Sequence, residues 1–547
     1  MPRIRRLSAA LALVASLAAP AAAQTTLFEW SGGGPETGLG RGGCGVGDLN
    51  GDGVPDVALA EHPPLTTPGA GGVVVARSGF DGATLWTAST ATPLAGPFAA
   101  GDVNGDGVVD VAISDGALRM LSGLDGAVLW TRSYSSALTV RAVDAGPDLN
   151  GDGVGDVLAQ TVHFWFASSF AEIVSGADGA LLANPAASTQ TGPVPMRLLP
   201  DVSGDGLGEW VLGARPYLPN QVDVYSSSAL IHVKTLSGPP PAPSANGGLT
   251  TWSLGGSLGS PGDVDGDGLV DLAVGLRATY QITNPWGSLP PPSAFETRVY
   301  STAGTWAPLY AASSFAVPGA SGDVAGLGDL DLDGVPDFAV FGGEPAAPHL
   351  SGVSLLSGAT GAPLSTLPLA GVEIPRLSDA GDVNFDGVNE HLRLEPYVDA
   401  PFNNAGRVRV ASYAAVPAAV STLLGGGCGA TGGGVLTFPP PKLGATLTIA
   451  WAGASPSALG NAAFDFAPPS ASALGAGCFF HLDLAHAATW WLVPIATDAA
   501  GAASLSIPVP SIPLLAGLPV TAQLVLLGTA GPFSFDLSPG VATTLGY

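Results

Sequence analysis

A nine-residue acidic pattern recurs seven times in this chain, and it constrains the fold more than any other feature of the sequence. The copies run Asp48–Asp56, Asp102–Asp110, Asp148–Asp156, Asp201–Glu209, Asp263–Asp271, Asp329–Asp337 and Asp382–Glu390. Successive copies start 54, 46, 53, 62, 66 and 53 residues apart. A unit of that length suits one four-stranded sheet with variable loops, and such units stack to bury a common core. Apolar β-type runs follow the copies, as in Val57-Ala58-Leu59, Val111-Ala112-Ile113, Leu272-Ala273-Val274 and Phe338-Ala339-Val340. A second element recurs later in several units: Ser78-Gly-Phe-Asp-Gly-Ala-Thr-Leu-Trp86, Ser122 to Trp130, Ser175 to Leu182 and Ser357 to Leu364. Asp-Gly or Thr-Gly between apolar runs is a tight-hairpin signal. With 78 Gly and 49 Pro punctuating the chain, the text reads as many short strands. The expectation is an all-β protein: a seven-bladed β-propeller over residues 24–413, followed by a small C-terminal β-sandwich-like domain. Gly-rich stretches such as Gly255–Gly262 are expected as turns before the loops.

The chemistry of the pattern points to a metal. Counting from its first Asp, positions 1, 3 and 5 carry oxygen side chains, position 7 offers a backbone carbonyl, and position 9 is a carboxylate. The candidate ligands are Asp48, Asn50, Asp52, Val54 and Asp56 in the first loop, then Asp102, Asn104, Asp106, Val108 and Asp110. The third and fourth loops offer Asp148, Asn150, Asp152, Val154, Asp156 and Asp201, Ser203, Asp205, Leu207, Glu209. The fifth and sixth offer Asp263, Asp265, Asp267, Leu269, Asp271 and Asp329, Asp331, Asp333, Val335, Asp337. The seventh offers Asp382, Asn384, Asp386, Val388 and Glu390. Position 6 is Gly in every copy, as a loop wrapped around a cation requires. An all-oxygen set without His or Cys selects a hard cation, and in an exported protein calcium suits it better than magnesium. Up to seven Ca2+ are therefore expected. An EF-hand would need Glu at position 12, where this chain has Leu59, Ile113, Ala159, Leu212, Val274, Val340 and Arg393. Loops four and seven depart most from the pattern, through Ser203, Glu209, Glu390 and the bulk of Phe385.

The charge balance agrees. The formal net charge is −26, and the loops hold 23 of the 44 acidic residues. Such a chain repels nucleic acid and anionic membranes. Two carboxylates about 4 Å apart repel by roughly 1 kcal/mol in water and about 4 kcal/mol at a protein-like dielectric. Fixed divalent cations would turn seven repulsive clusters into staples.

The ends of the chain bound its compartment. Arg3, Arg5 and Arg6, the apolar run from Leu7 and Ala21-Ala22-Ala23 read as a signal peptide over residues 1–23. No later stretch has the apolar length of a spanning helix. Residues 414–424 read as a linker, and 425–547 alternate apolar and polar residues as a β-domain does (Thr446-Leu-Thr-Ile-Ala-Trp451). Cys428 and Cys478 are expected to pair there, leaving Cys44 free. The C-terminal part looks similar to a module common at the ends of secreted bacterial repeat proteins.

Phe341-Gly342-Gly343-Glu344-Pro345 and Gly213-Ala214-Arg215-Pro216 echo the motif of a known family. The repeats resemble FG-GAP repeats, the units of the integrin α-chain propeller and of many secreted bacterial proteins, over roughly residues 27–413. That resemblance implies a toroidal propeller with calcium in hairpin loops, working as an extracellular binding or adhesion module for a protein or glycan ligand. Two other readings stay open: an extracellular polysaccharide-active enzyme and a structural envelope protein. No catalytic residue is assigned. Gly255-Gly-Ser257-Leu-Gly259 matches a nucleophile elbow only as a string. Trp86 and Trp130 read as packing residues, as do Trp490 and Trp491. His481 and His486 lack a third zinc ligand.

Overall fold

In the computed structural model each acidic nonapeptide joins two antiparallel strands of one sheet; Leu39–Gly47 leads into the first loop and Asp56–Glu61 leads out. The structure describes residues 25–546 apart from 33–37, 62–70, 91, 93, 136–137, 164–167, 185–193, 215–219, 228, 244–248, 282–294, 313–323, 332, 345–346, 369–375, 396–405, 413–418, 429–433, 476–477, 511, 513–514 and 528–534. The expected signal peptide lies outside the described residues. Among them no helix is long and apolar enough to cross a membrane.

Among the described residues seven separate antiparallel sheets span Thr25–Ser412, six of four strands and one of five. The strand that follows each loop is buried on both faces, which explains its near-continuous apolar text. Alternate residues of Asp56–Glu61 serve different neighbours. Val57 and Leu59 pack with Leu392, Leu394 and Val408 of the seventh sheet, while Ala58 and Ala60 pack with Val111 and Ile113 of the second. The loop-leading strands, Leu39–Gly47, Ala95–Gly101, Leu138–Ala145, Met196–Leu199, Leu249–Gly262, Val324–Gly328 and Arg376–Gly381, touch one another in that order, and the last touches the first. Between sheets, bridges are isolated, as at Leu39–Gly406 and Asn220–Leu254. The crowding along this inner cycle explains the Gly-Arg-Gly-Gly text of the first strand: a Cβ on Gly42 would sit 1.9 Å from the Gly96 carbonyl oxygen.

The seventh sheet is completed from the other end of the chain. Thr25–Ser31 pairs antiparallel with Arg407–Ser412, placing Glu29 opposite Arg409 and Trp30 opposite Val408. Outer strands are also clipped to the next sheet. Trp86 Nε1 donates to the Gly123 carbonyl at 2.6 Å, Trp130 Nε1 to Gly176 at 2.5 Å, Trp30 Nε1 to Gly82 at 3.2 Å, and Tyr310 Oη to Gly358 at 2.5 Å. The repeated Leu-Trp text is thus a between-sheet fastener. A second glycine of each receiving hairpin lies under the tryptophan ring, with positive φ and no side chain: Gly126 under Trp86 and Gly179 under Trp130.

Two expectations are corrected here. Gly255–Gly262 is not a turn: it forms part of the strand Leu249–Gly262, bulged between Leu254 and Leu258 and again between Gly259 and Gly262. Glycine-rich text reads as loop, but in this position it serves close approach between sheets. The elbow string therefore has no strand-turn-helix setting. The linker also does not extend to 424, because Val420–Gly425 pairs with Gly540–Thr544 inside the C-terminal sheet. Its exposed Val420 and Leu423 gave it no buried face to betray a strand.

The C-terminal region packs a six-stranded sheet against a three-stranded one. Ile449 and Trp451 of the smaller sheet meet Phe464, Leu524, Leu526 and Val541 of the larger in one core. Thr446–Ala452 alternates exposed and buried along its whole length, as a sandwich strand should. Cys428 and Cys478 form a disulfide with Cα atoms 5.4 Å apart, and Cys44 is free. A cross-link over 50 residues restricts the unfolded chain by about 4 kcal/mol in the chain-entropy picture.

Candidate metal sites

The loops are shaped by their first residue. In loop one the Asp48 carboxylate accepts the Gly51 N–H at 2.7 Å on Oδ1 and the Gly53 N–H at 2.7 Å on Oδ2. The bond from the position-6 glycine recurs in all seven loops, at 2.7–2.9 Å. All seven of those glycines have φ between +83° and +91°. Position 5 then accepts the N–H of position 7, as Val54 to Asp52 Oδ1 at 2.9 Å. The position-7 side chain turns inward, fully for Val54 and Val388 and partly for the others.

Sequence reasoning overlooked position 4. It is Gly in loops one to five, with φ between +76° and +84°. In loop seven it is Phe385, held at φ +59° with its side chain 51% exposed. The expectation that Phe385 crowds this loop is corrected: the ring points to solvent, and the cost is in the backbone. Phe385→Gly is expected to stabilise the protein by about 1 kcal/mol. A denaturant midpoint that falls instead would show that the ring makes contacts worth more than the strain.

Position 9 is buried in every loop: Asp56, Asp110, Asp156, Glu209, Asp271, Asp337 and Glu390 are all 0% exposed. One carboxylate oxygen accepts the N–H of position 2, as Leu49 to Asp56 at 2.8 Å and Val383 to Glu390 at 2.9 Å. In five loops the other oxygen reaches the turn between the last two strands of the sheet, through Gly79, Gly123, Gly176, Thr302 or Gly358. Burial pushes Asp56, Asp156, Asp271 and Asp337 up to about 6, and Glu390 up to about 8. Asp110 and Glu209 are raised for the same reason. These groups are short of a positive partner.

The loops differ in how ready they are for a cation. Three carboxylates converge in loop four (Asp201, Asp205, Glu209), loop five (Asp263, Asp265, Asp271) and loop six (Asp329, Asp331, Asp333), with one oxygen from each within 4.8 Å of the others. Glu209, one of the departures of loop four from the pattern, belongs to its trio. In loops one, two, three and seven the position-3 Asn donates its Nδ2 to the position-5 carboxylate at 2.8–3.0 Å. In loop seven the same amide also holds Glu390 at 2.9 Å. A cation there must displace those amide bonds, whereas position 3 of loops four to six is Ser203, Asp265 or Asp331 and puts no amide in the way. The donor chemistry fits a hard divalent ion in all seven and fits most directly in loops four to six.

Among the described residues no such converging group contains a His. His481 Nε2 lies 3.2 Å from the Gly425 carbonyl, and His486 Nδ1 lies 3.5 Å from Asp465. Trp491 packs its ring on Phe464 at 5.2 Å and Trp490 on Phe480 at 5.5 Å.

No known protein-family model matches this chain. No curated protein matches it either. Among solved structures it is similar to the Vibrio cholerae biofilm matrix protein Bap1, at 13% identity and a TM-score of 0.37 over 72% of this chain and 91% of that one. It is also similar to BamB from Moraxella catarrhalis, at 11% identity and a TM-score of 0.34 over 72% of this chain and 98% of that one.

Proposed function

We propose that this chain is a secreted calcium-binding protein built on a seven-bladed β-propeller of FG-GAP type, acting as an extracellular binding or adhesion module for a protein or glycan. One observation carries the reading. Seven oxygen-donor loops occupy the same topological position in seven sheets whose inner strands touch in a cycle. Equivalent connections in such a ring lie on one rim, so the cations would brace one face. The connections on the opposite rim are then free to vary, as recognition loops on a rigid scaffold do. The disulfide at Cys428–Cys478 supports an oxidising compartment.

Metal content tests the scaffold half of the proposal. Protein stripped with chelator and reloaded is expected to hold five to seven calcium ions by elemental analysis, with loops four to six filling first. Two ions or fewer would sink it. The recognition half is tested by screening glycan and extracellular-protein arrays with and without calcium. Turnover of a polysaccharide in the same assay would favour the enzymatic alternative.

A further inference from the structure

Loops one to three share a chemical feature that the other four lack. Their position-3 residue is Asn followed by Gly: Asn50-Gly51, Asn104-Gly105 and Asn150-Gly151. An unhindered Asn-Gly pair loses its side-chain amide spontaneously. The glycine amide nitrogen attacks the Asn Cγ, a five-membered imide forms, and ammonia leaves with the former side-chain nitrogen. Water then opens the imide at one carbonyl or the other, giving Asp or its β-linked isomer. The sum is amide plus water to acid plus ammonia, with no oxidant or further reactant. The attacking atom is the glycine nitrogen, which must be free to lose its proton and swing toward Cγ.

In all three loops that nitrogen is engaged. Gly51 N–H donates to Asp48 Oδ1 at 2.7 Å, Gly105 to Asp102 at 2.7 Å and Gly151 to Asp148 at 2.6 Å. A carboxylate acceptor holds the proton on nitrogen and fixes the peptide plane. The Asn amide is tied at its other end as well. Asn50 Oδ1 accepts the Asp52 N–H at 2.8 Å, and its Nδ2 donates to Asp52 Oδ2 at 2.8 Å. Both reacting groups are thus pinned, by residues two positions either side of the Asn.

We infer that Asn50, Asn104 and Asn150 are latent deamidation sites, and that the first Asp of each loop suppresses the reaction while the loop is folded. Asn384 is not such a site, because Phe385 follows it. The consequence is specific: direct opening of the imide turns Asn-x-Asp into Asp-x-Asp, the text of loops five and six, whereas the β-linked product lengthens the backbone and breaks the position-1 contacts. The inference needs no bound metal and stands apart from the calcium reading.

The test is made on the full chain in chelator throughout. Peptide mapping by mass spectrometry follows deamidation of each Asn over time at mildly alkaline pH, in buffer and in urea. In urea the three loop sites are expected to react at rates similar to Asn246-Gly247, the Asn-Gly pair outside the acidic loops. In buffer the three should be slower than in urea by at least about tenfold, the factor expected if reaction needs the loop to open. Equal rates in buffer and urea would overturn the inference. Asp48→Asn keeps the shape of the residue but weakens its hold on Gly51. It should accelerate Asn50 several-fold and leave Asn104 and Asn150 in the same molecule unchanged. If Asp48→Asn leaves Asn50 as slow as before, or speeds all three alike, the local role of the first Asp is refuted.

Discussion

Chelating calcium is expected to lower the melting temperature of the Thr25–Ser412 region by roughly 10 °C or more, in a manner graded with free calcium. Each site that binds only the folded chain adds RT ln(1 + [Ca]/Kd). Extracellular calcium modules bind at about 10⁻⁴–10⁻³ M, so a few millimolar calcium contributes roughly 1–2 kcal/mol per site. Over several sites the sum rivals the whole stability of a typical domain. Asp265→Ala isolates one site. Asp265 belongs to the converging trio of loop five, but its one backbone contact, from Asp267 N–H at 3.2 Å, is weak. Asp263 would be a poorer choice, because it also holds the N–H groups of Gly266 and Gly268. The variant should lose one ion and part of the calcium-dependent gain. Any separate transition of the C-terminal sandwich, which carries none of the seven loops, should not move. Identical scans with and without chelator would refute the staple mechanism even if calcium were bound.

The same carboxylates set an opposite pH dependence in the two states. Asp56, Asp156, Asp271 and Asp337 stand near 6 in the metal-free fold, above about 3.9 for an unfolded Asp, because burial disfavours their charge. Between those values the folded state holds more protons than the unfolded one, so metal-free stability is greatest below pH 4 for these groups and falls as pH rises to 6. Glu390, near 8, extends the decline. With calcium the charged form is the ligand, protons compete with the metal, and stability rises over the same window. Melting temperatures measured from pH 4.5 to 7.5 in chelator and in calcium are expected to slope in opposite directions. Parallel slopes would mean that the buried carboxylates take no part in metal binding.

What the sequence made legible follows from how local each feature is. The loops were readable because their hydrogen bonds run within nine residues: Asp48 to Gly53 is a property of the nonapeptide alone. The strands after them were readable because burial on two faces leaves an apolar run. Position 4 escaped notice because glycine is so common here that one more carried no signal, until Phe385 at φ +59° exposed the constraint. The second role of position 9 was invisible, because the Gly79 N–H that binds Asp56 lies 23 residues away. The inner strand at Gly255–Gly262 was misread for a related reason. Its glycines answer to neighbouring sheets, as Gly259 does to Val324, where a Cβ would come within 2.5 Å. Non-local requirements of this kind leave composition without periodicity.

The largest single lesion is expected at the strand that joins the two ends of the repeat region. Deleting Thr25–Ser31 removes Leu27 and Phe28, buried to 6% and 7% exposure, at about 1.5–3 kcal/mol each. It removes the Trp30 fastener to Gly82 and the Glu29 carboxylate, 2.6 Å from Arg409. Arg409 and Arg407 are left sharing Glu395, which is 0% exposed and already 2.5 Å from Arg393. Three guanidinium groups would then crowd one buried carboxylate, an imbalance that costs several kcal/mol. The deletion also bares Arg407–Ser412 as an edge strand, a template for pairing with other chains. The truncated protein should lose its cooperative transition and aggregate, while the Cys428–Cys478 disulfide still forms. A synthetic peptide of residues 24–32 added in trans should restore a monomer, because the vacated edge offers a ladder and pockets for Leu27 and Phe28. A Phe28→Ala, Trp30→Ala peptide should restore far less. A truncated chain that stays monomeric and melts at the full-length temperature would show that the seven sheets of Thr25–Ser412 do not depend on this strand for their stability.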